Sequence, residues 1–131
     1  GTDSTQAQPS NPWINIYSMV TGKDVKGFGL RAGGVTVDRD GAPLTCPDER
    51  VSRAEAIQMY TKGSAWLAGA EDHYGVLEAG KLADLIVLSD DIFSTDVSDE
   101  EIWRIHSLLT IVDGRIVHVD QDAAFAAQAR Q

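Results

Sequence analysis

The chain has 131 residues, 43% hydrophobic and 24% charged, which fits one globular domain able to bury roughly two thirds of its unfolded surface. Its formal charge of -9, with the eleven Lys and Arg scattered, speaks against nucleic acid and anionic membranes as partners, since both select a clustered basic face. The single cysteine, Cys46, excludes an intrachain disulfide and a thiolate metal cluster, and no apolar run reads as a membrane span or signal peptide.

The segment Thr2 to Ser10 is polar and reads as a loop. Asn11-Pro12 then fits a helix start, with Asn at the cap and Pro in the first turn, followed by Trp13, Ile16, Tyr17 and Val20 at helical spacing and Gly22 as a stop. From Lys26 to Arg50 the chain is rich in Gly and Pro, with Val35 to Gly41 as a short hairpin or plain loop. Ser52-Arg53-Ala54-Glu55 is a capping box that opens a helix through Leu67, whose expected apolar face is Ala56, Ile57, Tyr60, Ser64 and Leu67.

After Gly69 the pattern becomes extended. Tyr74 to Leu77 and Asp84 to Leu88 read as strands, separated by a turn at Glu78 to Lys81. Ser98-Asp99-Glu100-Glu101 is a second capping signal, with Ile102, Ile105 and His106 suggesting a short helix or turn. Two β-branched runs, Ser107 to Val112 and Arg115 to Val119, flank Asp113-Gly114, the dipeptide that supplies the positive φ of a tight hairpin. The Ala-rich end, Asp122 to Gln131, reads as a terminal helix.

These residues do not assemble a complete active site. A hydrolytic zinc centre needs about three protein ligands, yet His73, His106 and His118 stand far apart, and His118 is expected to face solvent. No nucleophile elbow is present, and Gly27, Gly29, Gly33 and Gly34 lack the Lys-Ser/Thr of a phosphate loop, so a flexible loop is the reading there. Cys46, beside Pro47, reads as a loop thiol. The acidic stretch Ser89 to Glu101 lacks the glycine and spacing of a calcium loop and reads as solvated carboxylates around a turn. Trp13, Trp66 and Trp103 are expected to be packing anchors.

Several segments, in order, carry a resemblance. Gly1-Thr2-Asp3-Ser4 precedes a polar loop and the Pro12 helix, which ends near Val20-Thr21. Ser52-Arg53-Ala54-Glu55-Ala56 opens the next helix and Tyr60-Thr61 lies within it. Glu71-Asp72 precedes Gly75-Val76-Leu77-Glu78-Ala79-Gly80-Lys81, and Thr110 to His118 closes the series. From Gly1 to His118 this order resembles the C-terminal end of the amidohydrolase superfamily, in the branch that includes N-substituted formamide deformylases.

The resemblance implies an α/β or α+β fold. Residues 1-69 would be the end of a TIM-barrel metal-dependent hydrolase, with its last helices, and residues 70-131 part of an accessory β-sandwich plus a C-terminal helix. It implies that Asp3 is the carboxylate after the eighth barrel strand, a metal ligand that also exchanges a proton with the attacking water. The implied metal is divalent, zinc above others, and the implied substrate a small amide-type molecule. The remaining ligands of that family belong to sequence upstream of Gly1. The chain is therefore expected to be a fragment, whether cloned segment, truncated gene or cleavage product, inactive and metal-free alone, and self-associating as a homo-oligomer through open strand edges. The compartment stays open, with the cytoplasm slightly favoured. The competing reading is a small acidic binding or structural module with no enzymatic role.

Overall fold

The computed structural model describes residues 11–22 and 50–124. They form a mixed α/β arrangement that divides into two compact units, between which the chain passes three times. The first unit contains residues 11–22, 50–56 and 92–105; the second contains 57–91 and 106–124.

In the first unit, helix α1 (Pro12–Thr21) starts and stops as its sequence requires. The Asn11 side chain accepts a hydrogen bond from the Trp13 amide at 2.9 Å, Pro12 occupies the first turn, and Gly22 takes the left-handed conformation (φ 70°) that closes the helix onto the Ser18 carbonyl. Its buried face is Trp13, Ile14, Ile16 and Tyr17. This face packs on a 3₁₀ helix, Asp99–Arg104, which a Ser98/Glu101 capping box opens. Ile92, Ile102 and Ile105 complete this core, with Ala56. The large buried side chains of the described residues all lie in this unit.

A longer helical run begins as α2 (Arg53–Gln58), widens into a π-turn at Met59–Gly63 and returns to α-helix as α3 (Ser64–Leu67). The expected capping box is present. Glu55 Oε2 accepts from the Ser52 amide at 2.8 Å and from its hydroxyl at 2.7 Å, while Ser52 Oγ accepts from the Glu55 amide. The expected apolar face is corrected. Ala56 is buried, but Ser64 and Leu67 are exposed and Ala65 is buried instead. A π-turn spends an extra residue on one turn and so rotates everything after it about the helix axis. Trp66, expected as an anchor, is 66% exposed for the same reason.

The second unit carries a three-stranded antiparallel sheet in the order β1 (Leu85–Leu88), β2 (Ser107–Val112), β3 (Arg115–Val119). The β2–β3 hairpin turns on Asp113 (φ 50°) and Gly114 (φ 71°), both in the left-handed region, as a two-residue primed turn demands. The register shifts between Thr110 and Ile111, which leaves Val117 as an extra residue in β3. The expected strand at Tyr74 to Leu77 is absent; these residues form bends and loop. The reason is local. Gly75 has φ 102° and a Cβ there would lie 2.6 Å from Ala65 Cβ, so the chain presses its bare backbone against the α3 helix instead of pairing along an edge. The turn at Glu78 to Lys81 forms, with the Lys81 amide donating to the Glu78 carbonyl and Gly80 at φ 92°. Of the expected C-terminal helix, Asp122–Ala124 lie in a turn and the remainder falls outside the described residues. No helix among the described residues is long and apolar enough to cross a membrane.

Candidate functional site

Asp3 lies outside the described residues, as do the polar segment before Ser10, the glycines at 27, 29, 33 and 34, and Cys46. What the structure describes is the framework on either side of them. Among the described residues, no three His, Cys, Asp or Glu side chains converge on a point that could hold a metal ion. His118 is exposed, as its alternation with Ile116 predicts, and His73 and His106 are exposed too. His106 Nε2 lies 3.7 Å from Asp120 Oδ2, a surface pair rather than a site. The described residues therefore do not fit a metal.

The motif Ser52-Arg53-Ala54-Glu55-Ala56 is resolved into separate physical tasks. Ser52 and Glu55 cap the helix, and their hydrogen bonds hold the Glu55 carboxyl below its ordinary value, the Ser52 hydroxyl being the larger cause. Ala56 is fully buried in the core of the first unit.

Arg53 does something the sequence reading did not single out. Its Nη1 donates to the main-chain carbonyls of Ile92 (2.8 Å) and Ser94 (3.1 Å), and its Nη2 donates to that of Val97 (2.6 Å). Nε donates to Asp99 Oδ1 at 2.8 Å, with Nη2 also 2.6 Å from the same oxygen. The fork of one planar guanidinium thus closes the loop from Ile92 to Asp99 on itself. The signal available in the sequence was an Arg one residue after a capping Ser, too common to point to partners some forty positions away.

The neighbouring polar links are also structural. Tyr17 donates its hydroxyl to Glu100 Oε2 at 3.0 Å, fixing α1 to the 3₁₀ helix. In the second unit, Lys81 donates to the Glu71 carbonyl at 2.6 Å and approaches Glu78, so the order Glu71-Asp72 to Lys81 closes one loop. The Asp113 amide donates to Asp84 Oδ1 at 2.8 Å, tying the hairpin tip to the start of β1. Several carboxylates of the acidic stretch enter such contacts. Asp90 accepts from the Ser89 hydroxyl, Asp99 pairs with Arg53, and Glu101 caps the 3₁₀ helix.

Three comparisons bear on what this framework belongs to. A model of the amidohydrolase family matches residues 1–118. The N-substituted formamide deformylase of Arthrobacter pascens is 43% identical over 74 residues, which are 56% of this chain and 13% of that protein. The putative amidohydrolase YtcJ of Bacillus subtilis is 28% identical over 118 residues, 90% of this chain and 20% of that protein. No solved structure matches. The chain thus spans no more than a fifth of the length of these relatives.

Proposed function

The chain belongs to the amidohydrolase family, and from that premise we propose that it is the C-terminal part of a metal-dependent hydrolase acting on amide-type C–N bonds of a small-molecule substrate. The observation that carries the reading is the family match over residues 1–118, which takes in Asp3 and every motif through His118. The small fraction of each relative that aligns supports a fragment.

In this reading residues 1-69 end a TIM barrel and residues 70-131 contribute to a β-sandwich. Asp3 is the proposed metal-ligating and proton-exchanging carboxylate of the intact enzyme, whose metal is zinc. One carboxylate supplies one ligand where about three are needed, so the isolated chain hydrolyses nothing. The strands support the sandwich assignment. Leu85-Ile86-Val87-Leu88 is wholly apolar and Leu108 to Val112 is broken only by Thr110, the pattern of strands covered on both faces. Ile86, Val87, Val112, Ile116 and Val117 are nevertheless exposed.

The test uses the chain joined to the upstream portion of such an enzyme. Asp3→Asn lowers kcat by several powers of ten without unfolding the protein, because general acid–base help alone contributes roughly 10²- to 10⁴-fold. Asp90→Asn, at an exposed carboxylate that accepts from the Ser89 hydroxyl, changes kcat little. Both changes remove one negative charge, so equal losses at the two positions, or none at Asp3, overturn the assignment.

A further inference from the structure

We draw no further inference here: the strongest candidate, the row of exposed Met59, Trp66 and Leu67 on the second half of the long helical run, is an unpartnered apolar face, and nothing in the structure shows what covers it.

Discussion

Arg53 joins its five N–H groups to three main-chain carbonyls and one carboxylate. The ion pair is the lesser part. The Asp99 side chain is 55% exposed, and pairs at such sites contribute about 0–1 kcal/mol. The carbonyl bonds weigh more, since each joins a charged donor to main chain that otherwise needs water. Arg53→Ala is expected to destabilise the fold by about 2–3 kcal/mol, and Arg53→Lys to restore less than half, because an ammonium cannot reproduce the planar fork. Urea unfolding of both variants measures this. A fully restored midpoint with Lys would mean that charge, not geometry, closes the loop. Glu55 gives a pH dependence of known sign. Its folded pKa lies below the ordinary 4.5, so its capping contribution is complete above that value and is lost as pH falls through the folded one. Following the Ser52 and Glu55 amides by NMR should show the helix start loosening only below pH 4.5, and Glu55→Gln should abolish that step. A step centred above pH 4.5 would contradict the capping geometry.

At the scale of elements, legibility in the sequence follows how local the cause is. Helix α1, both capping boxes and the Asp113-Gly114 hairpin depend on neighbours within four residues, and they form where the residues say. The π-turn at Met59–Gly63 and the bends that replace the strand at Tyr74 to Leu77 lie against each other through Gly75. Gly75 comes within 3.3 Å of the Thr61 carbonyl and Lys62 Cα when given a Cβ, a contact between segments ten or more positions apart. No periodicity reports that. The phase shift it leaves is measurable. Leu67→Ser should change stability by no more than about 0.5 kcal/mol, since Leu67 is 76% exposed. Ala65→Val should cost about 1–3 kcal/mol by overpacking against Gly75. An uninterrupted α-helix predicts the opposite order, so thermal denaturation of the two variants separates the geometries. Of the candidate site, only the motif order was legible. Asp3 is singled out by its place in that order alone, since no local spacing of ligand-type residues surrounds it.

At the scale of the whole molecule, the two units are unequally provided. The first has Trp13, Ile14, Ile16, Tyr17, Ile92, Ile102 and Ile105 buried, an ordinary small core. The second buries only Ala65 and Ala123 among the described apolar residues, yet exposes Trp66, Leu77, Ile86, Val117 and others. Among the described elements the three strands pack only on one another; a sheet so uncovered is marginal in water, and its edge strands offer unpaired backbone groups to any similar strand. Burying such side chains contributes about 25 cal/mol per Å² of apolar surface, so association between copies is favoured if it covers an area near the roughly 800 Å² per partner of a stable interface. The isolated chain is therefore expected to self-associate, with the mass from light scattering rising with concentration. Val117→Lys adds a charge at the bulge of edge strand β3, where it opposes pairing while removing no buried contact, Val117 being 61% exposed. It should lower the association without lowering the unfolding midpoint. A chain that stays monomeric at high concentration would mean that the exposed apolar strands need no partner. Association unchanged by Val117→Lys would instead move the contact from β3 to the exposed side of the helix bearing Met59 and Trp66.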